Sequence, residues 1–134
     1  MEHIITEEKA LAELEKGYGN AEELLEKTDK LETILLEIET KLKDIPKIGE
    51  ALSYIPTLIS MVKSYIQKEY TGIPVRTIVA IISALVYFLS PIDVIPDLLP
   101  VVGHIDDAAI ILACINLVGR DIKDYIEWRE KNKK

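Results

Sequence analysis

Apolar residues recur at helical spacing along the first 70 residues, and nowhere do they alternate with polar ones as a half-buried strand requires. Ala10, Leu11 and Leu14 form a short stripe after Thr6, a suitable N-cap, and Gly17 or Gly19 is placed to end that helix. Asn20 followed by Glu23 has the form of a capping box and predicts the start of the next helix there. From that point Leu24, Thr28, Leu31, Leu35, Ile38, Leu42 and Ile45 succeed one another at steps of four and three, with Glu and Lys at most positions between. Pro46 stops the run, because proline cannot donate to the preceding turn. A seam of this kind serves either a coiled coil between chains or a long amphipathic helix laid on its own core. Three heptads are short for an independent coiled coil, which favours the second.

A third helical region is expected over about 47–55, and a fourth near Pro56, which suits a first-turn position. Leu58, Val62, Tyr65 and Ile66 line one face of it, and Ile59 and Met61 widen the apolar band. Thr71-Gly72 before Pro74 reads as a stop and restart. The pattern then changes. VRTIVAIISALVYFLS is apolar on every side, so this helix is either fully buried or in lipid. A second apolar helix, AAIILACINLVG, follows Asp106-Asp107 and is expected to end at Gly119. Between them PIDVIPDLLPVVGHI carries Pro91, Pro96 and Pro100, too apolar for an ordinary surface loop and too proline-rich for a regular helix. The expectation is an all-α, compact bundle of about five to six helices around this hairpin, in a single domain over 1–134.

Charge divides the chain into three zones. Residues 1–72 hold nine basic and fifteen acidic side chains, residues 73–119 one and four, and residues 120–134 six and four. The net charge of −7 argues against nucleic acid as the main partner. A hydrophobic fraction of 49% and a mean hydropathy of +0.15 exclude a disordered chain. One cysteine, Cys114, makes neither an internal disulfide nor a Cys-based zinc site, and its apolar neighbours predict a small core residue. MEHIITEEKA has no apolar run, so no secretory leader is expected.

If the two apolar helices pair antiparallel, Arg76 and Arg120 fall at the open end. Asp93, Asp97, Asp106 and Asp107 gather at the closed end beside His104. Asp106 and Asp107 can cap the second helix and complement its dipole, and Asp93 and Asp97 can cap turns made by the prolines. The functional reading of the same four carboxylates is a site for Ca²⁺ or Mg²⁺, which take clustered oxygen ligands, although no EF-hand spacing is present. Acid–base chemistry on a sugar finds no aromatic cluster to support it, and there is no phosphate-binding glycine loop or nucleophile elbow.

Residues 83–111, SALVYFLSPIDVIPDLLPVVGHIDDAAII, resemble the core motif of the YkvA-like family, a small bacterial and archaeal domain of unknown function. The family pattern is an apolar helix, then S-P-I-D-x-I-P-D-x-x-P-x-x-G-x-x-D-D, then a second apolar helix. Ser90, Pro91, Ile92, Asp93, Ile95, Pro96, Asp97, Pro100, Gly103, Asp106 and Asp107 all fall on it, and the likeness extends over roughly residues 73–119. The resemblance implies no catalytic activity. It does imply the label of membrane association that members often carry.

Two placements of the hairpin compete. Helices over about 75–89 and 107–119 would span roughly 22 and 20 Å, short of the roughly 30 Å hydrocarbon core. The amphipathic helices before residue 73 offer apolar faces to wrap them, and Asn116 would be costly in lipid. For the membrane stand Arg120, Lys123, Arg129, Lys131, Lys133 and Lys134, with Tyr125 and Trp128 beside them. Tyr125, Trp128 and Ile122 could equally pack on the bundle. The expected function is thus a non-enzymatic binding or scaffold module, meeting a protein partner or a second copy through its helices. A membrane-associated hairpin at the cytoplasmic face and a divalent-metal protein are the alternatives.

Overall fold

The computed structural model describes residues 7–44, 49, 52–89 and 107–132. These form six α-helices and no strand: α1 (Glu7–Lys16), α2 (Tyr18–Glu26), α3 (Thr28–Lys43), α4 (Ile55–Ile66), α5 (Val75–Leu89) and α6 (Asp107–Lys131), with one 3-10 turn, Leu52–Tyr54. The all-α expectation holds.

Position in the bundle follows from how much of each helix is apolar. α5 is apolar around its whole circumference, and it occupies the centre, touching each of the other five helices. Every residue from Thr77 to Leu85 is buried, as is Phe88. Each fully buried Ile, Leu or Phe contributes about 1.5–3 kcal/mol relative to exposure, so this helix is the main source of burial energy. The surrounding helices are amphipathic and turn one face inward: Ala10 and Leu14 from α1, Ala21 and Leu24 from α2, Leu31, Leu35 and Ile38 from α3. α4 adds Leu58, Ile59, Met61 and Val62. The heptad seam is therefore used within the chain, as an amphipathic face laid on its own core.

Several element ends differ from the sequence reading. Gly17 ends α1 as expected, but α2 starts immediately at Tyr18. Asn20 and Glu23 thus lie inside α2, and the capping box is not used. The seam is not one helix either: Lys27, with φ −119° and ψ 72°, interrupts it between Leu24 and Leu31. The left-handed residue in the α4–α5 turn is Lys68 (φ 63°), not Gly72, and α4 has already ended at Ile66. Ile45 and Pro46 lie outside the described residues.

The expected end at Gly119 corresponds to a kink: Val118 (φ −112°, ψ 20°) breaks α6 there, and a second helical segment, which the sequence reading did not include, runs on to Lys131. Packing of its second half explains the continuation. Ile122 and Tyr125 are buried, and Tyr70, Tyr125 and Trp128 form a ring cluster with centroids 4.8–5.7 Å apart. The Tyr125 hydroxyl is shared with Ser60 (2.5 Å) and Ser64 (3.0 Å) of α4, while Arg129 donates to Ser60 Oγ and lies over the Tyr125 ring. Tyr125 and Trp128 are thus bundle residues rather than interfacial ones.

One close approach fixes the α1–α2 elbow on the hub. Ser83 Oγ donates to the Leu14 carbonyl at 2.7 Å, and a Cβ at Gly17 would stand 2.4 Å from that same hydroxyl. Only a hydrogen at Gly17 leaves room for the bond. Ser83 is therefore committed here, and Asn116 of α6 is exposed.

Candidate functional sites at the two ends of the hairpin

At the closed end, Pro91, Asp93, Pro96, Asp97, Pro100, Gly103, His104 and Asp106 lie outside the described residues. Asp107 opens α6, the place expected for an acidic residue favoured by the helix dipole. Among the described residues no three His, Cys, Asp or Glu side chains converge in a way that could hold a metal ion. What the structure does show at this end is a cation. Lys41 of α3 donates to the Phe88 carbonyl at 2.5 Å, and its ammonium lies 4.5 Å from the centre of the Phe88 ring. It satisfies one of the last carbonyls of α5 and complements the negative end of that helix. Sequence reasoning did not find Lys41, because nothing local links residue 41 to residue 88.

Midway along the hairpin, Cys114 is enclosed and its Sγ stands 3.8 Å from the Ala80 carbonyl. Burial pushes its thiol up from 9.0 to about 12, so it is protonated and unreactive in the native state. A thiol that ionises later folded than unfolded stabilises the fold fully below the unfolded pKa. That contribution is lost as pH rises from about 9 towards about 12, at up to roughly 1.4 kcal/mol per pH unit. The melting temperature of the wild type is therefore expected to fall more steeply between about pH 9 and 10 than that of Cys114→Ala. A thiol reagent should label Cys114 only on unfolding; rapid labelling of the native protein would contradict this burial.

At the open end Arg76 and Arg120 do meet, as the antiparallel pairing requires. They line a cleft of about 490 Å³ together with Glu15, Tyr18, Thr77 and Asp121. Each comes from an element end or a bend: Glu15 from the end of α1, Tyr18 from the start of α2, Arg76 and Thr77 from the first turn of α5. Arg120 and Asp121 follow the non-helical Val118, which also lines the cleft. Thr77 Oγ1 donates to Asp121 Oδ2 at 2.7 Å, holding that carboxylate in place. Tyr18 titrates above its usual range, first through burial, then through the nearby Glu15 carboxylate, then through Cys114. The arginine pair was legible from charge spacing. Glu15 and Tyr18 were not, since they arrive from helices distant in sequence.

Comparison with known proteins bears on the hairpin. Residues 77–113 match the model of a family described as a protein of unknown function, DUF1232. The match spans most of α5, the connector and the first turns of α6. The chain is also similar to the "Uncharacterized membrane protein YkvA" of Bacillus subtilis (strain 168). The two are 29% identical over 80 residues, covering 60% of this chain and 76% of that protein. No solved structure matches. The hairpin at the heart of the bundle thus carries the match to a family of unknown function, and the chain is similar to YkvA over 60% of its length.

Proposed function

We propose that the chain is a non-enzymatic helical module that docks on a membrane surface through the apolar connector between α5 and α6. The supporting observation is where the hydrophobicity is spent. α5 is buried without a break from Thr77 to Leu85 among five other helices, and over that stretch it has no face left for lipid. By sequence, the connector retains Ile92, Val94, Ile95, Leu98, Leu99, Val101, Val102 and Ile105. No described helix is long and apolar enough to cross a membrane, which favours a peripheral mode over a spanning one. The relative's description as a membrane protein points the same way.

Asp93, Asp97, Asp106 and Asp107 serve the connector as caps for its turns in this reading, and no cofactor is required. The basic end of α6 takes no part, because all of α6, 25 residues with a kink at Val118, lies between it and the connector. Binding is accordingly driven by apolar insertion and depends little on salt or anionic lipid. The test is co-sedimentation with phosphatidylcholine vesicles. Wild type is expected to bind, and the double variant Leu98→Ser/Leu99→Ser to bind at least about tenfold more weakly, a loss of about 1.4 kcal/mol or more. Equal binding by the variant, or no binding by the wild type, would overturn the reading and turn attention to a protein partner.

A further inference from the structure

The open end of the hairpin carries a second feature, independent of the connector. Arg76 and Arg120 are exposed at the mouth of one cleft, and neither has an ion-pair partner among the described residues. Two carboxylates, Glu15 and Asp121, line the same cleft without closing onto them. Elsewhere on this surface lysines do find carboxylates: Lys16 with Glu13 at 2.9 Å, and Lys63 with Glu39 at 3.1 Å. In the cleft the helices hold the opposite charges apart. Asp121 is held by the Thr77 hydroxyl, and Thr77 is itself buried in the first turn of α5. Glu15 comes from the last turns of α1, near enough for its carboxylate to raise the titration of Tyr18.

We infer that this cleft binds a small zwitterion, its anionic group held by Arg76 and Arg120 and its ammonium by Glu15 and Asp121. A simple anion would be drawn by the guanidiniums and repelled by the carboxylates, and a simple cation the reverse. A molecule carrying both signs a few ångströms apart satisfies all four side chains. Guanidinium recognises phosphate and carboxylate alike through paired donors, so the anionic group is one of these. A volume of about 490 Å³ lies within the range of small-molecule sites. Tyr18 adds a hydroxyl to the lining of the same cleft.

The probes are phosphoethanolamine and glycine, set against inorganic phosphate, acetate and ethanolamine at matched ionic strength. At about 10 mM, at least one zwitterion is expected to raise the melting temperature by about 2 °C or more, and by more than any single-charge probe. Arg120→Gln and Glu15→Gln alter exposed side chains, so each should melt like the wild type without ligand, while weakening binding about tenfold or more. No saturable shift with either zwitterion, equal shifts with the half-ligands, or undiminished binding by both variants would overturn the assignment. Phosphatidylethanolamine vesicles separate the sources. Binding that soluble phosphoethanolamine displaces identifies a lipid headgroup, and binding of the soluble probe alone identifies a free metabolite. The Leu98→Ser/Leu99→Ser variant should keep the soluble response, so this site and the connector fail separately.

Discussion

Replacing Ile81 by alanine is expected to destabilise the fold by about 3–4 kcal/mol, the range seen when a large aliphatic side chain is removed from a site that cannot collapse. Ile81 is 0% exposed and stands near the middle of α5, the helix that touches all five others. No neighbour can move into the space without leaving another. Because a domain's total stability is only about 5–15 kcal/mol, the variant should show a much lower denaturation midpoint in urea, with an unchanged slope. The same experiment tests the placement of the helix. Were α5 to face lipid in the functional state, truncating Ile81 would remove contacts with acyl chains, and the fold would lose little. A loss below about 1 kcal/mol would mean that the bundle does not close around α5.

Gly17→Ala is expected to cost about 1–3 kcal/mol, although alanine is the better helix former. The new methyl would meet Ser83 Oγ at 2.4 Å while the hydroxyl is committed to the Leu14 carbonyl. Either the bond breaks or the α1–α2 elbow lifts away from α5. Ser83→Ala alone should cost about 1 kcal/mol, the worth of one hydrogen bond. In the double variant the methyl at residue 17 meets Cβ of residue 83 at 3.5 Å and the Leu14 carbonyl oxygen at 3.6 Å, both ordinary contacts. It should therefore be no less stable than Ser83→Ala. The two losses are strongly non-additive in a double-mutant cycle. Simple additivity would show that Gly17 is needed for the bend rather than for the approach.

Legibility from sequence tracked how local each cause was. α5 was readable to within a residue, because an unbroken apolar run between Pro74 and the Ser90-Pro91 pair leaves few alternatives. Leu31, Leu35 and Ile38 were readable as an inward face from their spacing alone. The break at Lys27 was not, since it carries neither glycine nor proline and lies in a run of good helix formers. The second helical segment of α6, beyond the kink at Val118, was hidden for the opposite reason. Glycine is a fair stop signal, yet Tyr125 packed against Ser60 and Ser64 holds the next turns in place from another helix. Of the site residues, spacing placed Arg76 beside Arg120, while Lys41 and Glu15 reach their partners only through the tertiary fold.

The central position of α5 also sets an order of events during synthesis. The first three helices emerge from the ribosome with Leu14, Leu24, Leu31, Leu35 and Ile38 already aligned on their inner faces, but the surface they cover is not yet made. α1 must wait longer still, because it also packs against α6, which follows α5 along the chain. The nascent chain therefore carries unsatisfied amphipathic helices throughout the synthesis of α1 to α4 and closes only once α5 and α6 have followed. Such a chain depends on prompt release, or on a chaperone that shields those faces until the hub arrives.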